Sequence, residues 1–192
     1  MKLIILDRDG VINQDRDDFV KSADEWIPIE GSMDAIAFLT QAGYTVAVAT
    51  NQSGIGRKYF TVQDLTEMHA KMHRLAVQAG GAIDGIWFCP HTAADNCDCR
   101  KPKPGMICDI LERFKADPAE TWLVGDSLRD LQAVDAAGGK SALVLTGKGK
   151  KTLSEHENEL PKNTQIFDNL LAFSQYIMQE TAQDRADGQA NP

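Results

Sequence analysis

The chain has 192 residues, 43% of them hydrophobic and 25% charged, with a formal net charge of −8. That is enough for one domain of ordinary size with a substantial core. The acidic balance argues against nucleic acid as the main partner, and no apolar run approaches the roughly 20 residues of a membrane span. The apolar run Leu3–Leu6 is also too short for a signal-peptide core, so the protein is expected in the cytoplasm. Five of the 20 basic residues fall in two short stretches, Arg57 and Lys58, then Arg100, Lys101 and Lys103. Local positive charge on an acidic protein points to a small anionic ligand, with neither nucleic acid nor a membrane as partner, and the chain is expected to be a monomer.

Leu3-Ile4-Ile5-Leu6 predicts a strand buried on both faces, as at the centre of a parallel sheet. Asp7-Arg8-Asp9-Gly10 follows it. Two acids leaving the C-terminal end of such a strand reach the crevice where open α/β sheets bind ligands; a plain acidic turn is the alternative. Residues 13–18 read as a polar loop, with Asp15, Arg16, Asp17 and Asp18 able to reach over a ligand. Ser32 is expected to cap a helix whose apolar face carries Met33, Ile36, Ala37, Phe38 and Leu39, ended by Gly43. Thr45–Ala49 predicts a second buried strand, running into Thr50-Asn51-Gln52-Ser53-Gly54. Strand, helix and strand in about 45 residues make a βαβ unit, with parallel strands and a right-handed crossover.

Thr61 opens a long helix, with Asp64 standing where a capping box usually has Glu. Leu65, Met68, Met72, Leu75, Ala76 and Ala79 form its apolar stripe, and Gly80-Gly81 ends it. His69 and His73 lie one turn apart but lack an H-E-x-x-H context, and are read as surface histidines. A third strand is expected over 83–88, a helix over 105–115 with Cys108 on its buried side, and a fourth strand over 121–125, ending at Asp126. A helix over 127–137, a fifth strand over 141–145, a charged connection over 147–161, a short strand over 165–167 and a closing helix over 170–178 complete the reading. Residues 1–180 thus form a single domain, and the polar tail 181–192 is expected to be disordered.

In a parallel sheet all C-terminal ends lie on one edge, so Asp7 and Asp9, Thr50 and Asn51, and Asp126 should meet in one crevice. Those groups suit phosphoryl transfer from an ester. One carboxylate can attack phosphorus, and a second can protonate the leaving alkoxide and then activate water. Carboxylates gathered with a carbonyl oxygen bind Mg²⁺, and a hydroxyl, N–H groups and a lysine can hold the phosphoryl oxygens.

Cys89-Pro90-His91 and Cys97-Asp98-Cys99 put four soft ligands within eleven residues, in a chain expected to carry no secretory signal. The pattern reads as a closed, structural Zn²⁺ site made by Cys89, His91, Cys97 and Cys99. It would fold a loop with little apolar content and aim Arg100 and Lys101, which follow directly.

Asp7-x-Asp9-Gly10, Thr50-Asn51, Lys101-Pro102 and Gly125-Asp126-x-x-x-Asp130 resemble, in this order, the four motifs of the haloacid dehalogenase (HAD) superfamily. Together with Thr-Asn-Gln-Ser-Gly-Ile-Gly, Cys-Pro-His and Cys-Asp-Cys-Arg-Lys-Pro-x-Pro-Gly-Met, they are similar to the D-glycero-D-manno-heptose-1,7-bisphosphate 7-phosphatases. The likeness covers roughly residues 1–150. It implies a three-layer α/β HAD-like Rossmannoid fold with a central, mainly parallel sheet, a minimal cap and a small zinc-binding loop. The implied reaction is removal of the C7 phosphate from a small phosphorylated sugar, toward ADP-heptose for lipopolysaccharide core or GDP-heptose for surface-layer glycans.

By the same resemblance Asp7 is the nucleophile and Asp9 the acid/base, while Thr50 and Lys101 steady the phosphoryl group. Asp126 binds Mg²⁺ with Asp7 and the main-chain carbonyl of Asp9, and Asp130 supports Lys101 or the metal. Lys101 is preferred over Lys103 because Arg-Lys-Pro-x-Pro-Gly is how this subfamily writes the motif. Asp15, Arg16, Asp17, Asp18, Thr50, Asn51, Gln52, Ser53, Arg100 and Lys101 match its substrate contacts. Histidinol-phosphate phosphatase, from the same HAD branch, is the rival enzyme. A zinc-stabilised interaction module without catalysis is the rival from another class, and the intact acid pair and Lys101 speak against it.

Overall fold

The structure, a computed structural model, describes residues 1–189. Strands β1 (Leu3–Leu6), β2 (Thr45–Asn51), β3 (Gly85–Cys89), β4 (Trp122–Gly125), β5 (Lys140–Val144) and β6 (Gln165–Phe167) form one sheet in the order β3-β2-β1-β4-β5-β6. Every neighbouring pair is parallel. The helices are α1 (Ser32–Gln41), α2 (Ser53–Gly56), α3 (Val62–Gln78), α4 (Gly105–Phe114), α5 (Leu128–Ala136), α6 (Gly149–His156) and α7 (Leu170–Gln189). This is the three-layer α/β fold expected from the sequence.

The apolar run in β1 follows from its position. Its side chains alternate between two cores, so all four must be apolar. Ile4 and Leu6 pack with Ile36 and Leu39 of α1, Leu65, Met68 and Met72 of α3, and Phe173 and Ile177 of α7. Leu3 and Ile5 pack on the other face with Ile107 and Ile110 of α4 and Val134 of α5. After β1 the chain builds outward through β2 and β3, then returns to place β4 on the other side of β1. The switch in direction leaves a crevice beyond the carboxyl ends of β1 and β4. Asp7 and Asp9 leave β1 there, and Asp126 leaves β4 there.

Five local features differ from the sequence expectation. Gly31, not Ser32, is the N-cap of α1, with φ +78°. Ser32 is the first helical residue, and its hydroxyl donates to the Ile12 carbonyl at 2.8 Å. Ser53–Gly56 forms a single helical turn inside what reads as a polar loop. The charged connection contains α6, which buries only Gly149 and Thr152 and so shows no apolar period. The closing helix runs past Met178 to Gln189, so the expected disordered tail is helical as far as that residue; residues 190–192 lie outside the described residues. Thr181 is buried, 3.1 Å from the Tyr44 hydroxyl, which gives this polar stretch a docking point. Cys108, expected in the core, is exposed on α4. Asp64 does close a capping box on α3: its carboxylate accepts from Thr61 N at 2.7 Å, and Thr61 Oγ1 accepts from Asp64 N at 3.2 Å.

Candidate active site

The crevice is centred on a buried lysine among acids. Lys101 is 1% exposed, and its Nζ lies 3.0 Å from Asp7 Oδ1 and 2.6 Å from Asp130 Oδ1. It also donates to the Ala49 carbonyl at 2.7 Å. Burial alone would lower the Lys101 pKa, but the charges of Asp130 and Asp7 outweigh it and the net direction is up. Lys103, the competing lysine, is half-buried and donates to Asn96 and Asp98 instead. Asp130 also accepts from Ser127 N at 3.1 Å and from the Ser127 hydroxyl, which caps α5 and holds the carboxylate toward Lys101.

Carboxylate oxygens of Asp7, Asp126 and Asp130 lie within 4.8 Å of one another. Burial and the Asp130 charge push the Asp7 pKa up to about 6, against the pull of Lys101. Burial, then Asp130 and Asp7, push Asp126 up to about 8. The cluster therefore lacks positive charge, and its donors are hard oxygens, which fits Mg²⁺. Two glycines make room for Asp126. Gly10 has φ +84° and Gly147 φ +54°, and a Cβ on either would fall 2.0 Å or 2.2 Å from Asp126 Oδ2. Asp126 Oδ2 also accepts from Lys148 N at 2.7 Å, and its carbonyl accepts from Thr152 Oγ1 at 2.8 Å.

Asp9 has different surroundings. Its carboxylate receives Arg8 NH2 at 3.0 and 3.1 Å, Asn13 Nδ2 at 2.9 Å and Gln52 Nε2 at 2.8 Å. Burial opposes ionisation, but the Arg8 charge and these hydrogen bonds outweigh it, and the pKa is lowered. Gln52 Nε2 also lies 2.8 Å from Thr50 Oγ1, so one amide ties the end of β2 to Asp9.

The cleft above this floor is lined by Asp15, Arg16, Asp17, Thr50, Asn51, Gln52, Ser53 and Arg100, as the sequence leads one to expect. Lys101, wholly buried beneath the cleft, is not among them, and neither is Asp18. Asp18 is exposed and pairs with Arg16 at 3.0 Å and Lys21 at 2.7 Å, so it holds the loop instead of facing the cleft. Arg8, Phe19, Val20, Arg57, Arg129 and Lys148 line the cleft without having been assigned to it. Arg57 belongs to the first basic stretch and Arg129 lies inside the Asp126-x-x-x-Asp130 motif, so both left a trace. Lys148 lies in a stretch with no period to read. Nor is His69 a surface histidine: it is half-buried on α3 against Arg8 and Phe88, whereas His73 is exposed.

The cysteine loop precedes Arg100, which lines the cleft. Cys89 Sγ lies 3.6 Å from Cys97 Sγ and 3.3 Å from Cys99 Sγ, and the latter two are 3.5 Å apart. His91 Nδ1 is 3.7 Å from Cys89 Sγ and 3.4 Å from Cys99 Sγ. All four cysteines of the chain are free thiols. A tetrahedron with Zn–S bonds near 2.3 Å has S···S edges of about 3.8 Å, so these four side chains fit a structural Zn²⁺. Arg100 NH1 donates to the His91 carbonyl at 3.2 Å, so the arginine in the cleft rests on the backbone of this cluster.

Residues 98–173 match the family model described as HAD-hydrolase-like. A D-glycero-beta-D-manno-heptose-1,7-bisphosphate 7-phosphatase of Neisseria meningitidis serogroup A is 83% identical over 187 residues, 97% of this chain and 100% of the relative. The enzyme of that name from Bordetella bronchiseptica is 54% identical over 94% of this chain and 99% of its own. The crystal structure of D,D-heptose 1,7-bisphosphate phosphatase from B. bronchiseptica, complexed with magnesium and phosphate, superposes with a TM-score of 0.91, covering 94% of this chain and 99% of that one. The Burkholderia thailandensis structure gives 0.74 at 49% identity, covering 93% and 99%. With the acid cluster, its lysine and the cysteine loop all carried on a sheet that superposes so fully, the chain belongs to the D-glycero-β-D-manno-heptose-1,7-bisphosphate 7-phosphatases of the HAD superfamily.

Proposed function

We propose that the protein is a Mg²⁺-dependent phosphatase that removes the C7 phosphate of D-glycero-β-D-manno-heptose 1,7-bisphosphate through an aspartyl phosphate on Asp7. The observation that carries this reading is the buried Lys101 joining Asp7 to Asp130 beside Asp126, at the switch point of the sheet. A binding module has no use for a lysine so desolvated.

Asp7 attacks phosphorus, and the bond from phosphorus to the C7 oxygen breaks. Asp9 gives its proton to that oxygen as the sugar alcohol leaves, then takes a proton from the water that attacks the aspartyl phosphate. Orthophosphate leaves and Asp7 is regenerated. Lys101 and Thr50 hold the phosphoryl oxygens, and Asp130 keeps Lys101 charged and aimed. Asp7, Asp126 and the Asp9 carbonyl would hold Mg²⁺, which supplies positive charge to the phosphoryl group when bound.

Arg57, Arg100 and Arg129 line the cleft, and none has a carboxylate within ion-pair distance among the described residues. They favour a substrate with a second anionic group over histidinol phosphate, whose amine is cationic. The test is a panel with Mg²⁺: both anomers of the heptose bisphosphate, histidinol phosphate and fructose bisphosphate, with ³¹P spectra of the products. The expected result is fastest turnover of the β-anomer, with the C1 phosphate left in place. A preference for histidinol phosphate overturns the reading.

A further inference from the structure

Arg8, between the two acids, is 1% exposed, so its guanidinium has no water to satisfy five N–H donors. Nε and NH2 are taken by Asp9. NH1 points away, toward α3, where Met68 Sδ lies 3.9 Å and His69 Nε2 3.5 Å from it. Sulfur is a weak acceptor, so the imidazole nitrogen is the better of the two. Arginine can only donate; the Nε2 atom it faces must carry a lone pair, which puts the ring proton on Nδ1. Burial and the Arg8 charge lower the His69 pKa to about 4, in keeping with a neutral ring. The imidazole also packs edge-to-face with Phe88, with centroids 6.4 Å apart. His69 thus touches both a strand aromatic and a guanidinium whose other end grips Asp9.

We propose that His69 is a positioning residue for the acid/base step: by accepting from Arg8 NH1 it fixes the plane of the guanidinium, and through it the carboxylate of Asp9. This rests on the reading of Asp9 as the group that protonates the leaving oxygen. A planar, rigid fork transmits orientation from one end to the other, which a flexible lysine would not. Met68 and His69 are consecutive on α3, and Met68 packs in the core, so the support comes from a rigid helix and not from a loop.

The leaving group supplies the test. A sugar alkoxide needs a proton as it departs, whereas p-nitrophenolate leaves without one, and kcat/KM reports the step in which the leaving group goes. Asp9→Asn should therefore lower kcat/KM for the heptose bisphosphate far more than for p-nitrophenyl phosphate; if it does not, the acid reading itself fails. His69→Leu should lower kcat/KM for the bisphosphate about tenfold, part of the 10²–10⁴ that general acid catalysis supplies, and by less than about threefold for p-nitrophenyl phosphate. His69→Gln, whose amide oxygen can accept from Arg8, should recover most of the loss. If His69→Leu does not fold, His69→Asn, too short to reach Arg8, replaces it. Equal losses on both substrates, no loss on either, or a Gln variant as slow as the Leu variant overturns the proposal, even where Asp9→Asn behaves as expected.

Discussion

Asp7 and Asp9 are separated by one residue, yet their surroundings push them in opposite directions. Asp7 faces inward, is 5% exposed and shares its neighbourhood with Asp126 and Asp130, so its charge is resisted. Asp9 faces the cleft and is surrounded by donors, so its charge is favoured. Asp7 stands beside Lys101, where it can meet a phosphoryl group, and half-buried Asp9 faces the cleft, where it can exchange protons with substrate and water. Because the surroundings of Asp9 favour the ionised form, its role as acid requires that it take up a proton in the substrate complex. Asp7→Asn keeps the shape and the Arg8 N contact at 2.8 Å but removes the nucleophilic oxygen. It is expected to fold and to lose turnover by at least on the order of 10³. Beryllium fluoride with Mg²⁺ should attach to Asp7 in the wild type and not in the variant. Near-normal turnover of Asp7→Asn would mean that no aspartyl phosphate forms.

The segment leaving β2 and the cysteine loop after β3 behave as one element. Gln52 N donates to the Cys89 carbonyl at 2.7 Å and Gly56 N to the Pro90 carbonyl at 3.0 Å. The Asn51 side chain donates to the Lys101 carbonyl at 3.0 Å and accepts from Lys101 N at 3.1 Å. Arg57, Arg100 and Lys101 therefore stand on one platform, which the Cys89, His91, Cys97 and Cys99 cluster helps to anchor. Purified protein should contain about one Zn²⁺ per chain. Cys97→Ala should lower Tm and raise KM for the bisphosphate through Arg100, while Mg²⁺ binding survives. Metal analysis without zinc, on protein purified without chelator, would remove the basis for this. Much of this platform could be read in advance, because ligand spacing and strand ends are local signals. The apolar runs of β1, β2 and β4 and the stripe of α3 also carry their own periodicity. What escaped the sequence depends on tertiary neighbours. Helix α6 has no apolar face, Cys108 lies on the exposed side of α4, and Arg129 and Lys148 reach the cleft because α5 and α6 start beside it. Asp18 stands outside the cleft lining for a local reason: Arg16 and Lys21 of its own loop pair with it.

For the molecule as a whole, the cluster under the cleft links stability to pH and metal. Without a cation, Asp7 and Asp126 have folded-state pKa values of about 6 and about 8, both above the ordinary carboxylate value. An acid with a raised pKa binds its proton in the folded chain after the unfolded chain has lost it. Stability from these groups is therefore full below the ordinary carboxylate pKa and falls as pH rises through about 8. Mg²⁺ at the same oxygens displaces those protons and supplies the charge the cluster lacks, so its binding releases protons and strengthens with pH. Metal-free protein should thus lose Tm across this window, and the rise in Tm on adding Mg²⁺ should grow over it. Asp126→Asn removes the group with the larger shift. It should flatten the metal-free pH dependence and abolish most of the Mg²⁺ increment, while leaving the zinc content unchanged. Thermal melts with and without Mg²⁺ at several pH values decide this. A Mg²⁺ increment that stays constant with pH, or one that Asp126→Asn leaves intact, would show that the cation is held elsewhere.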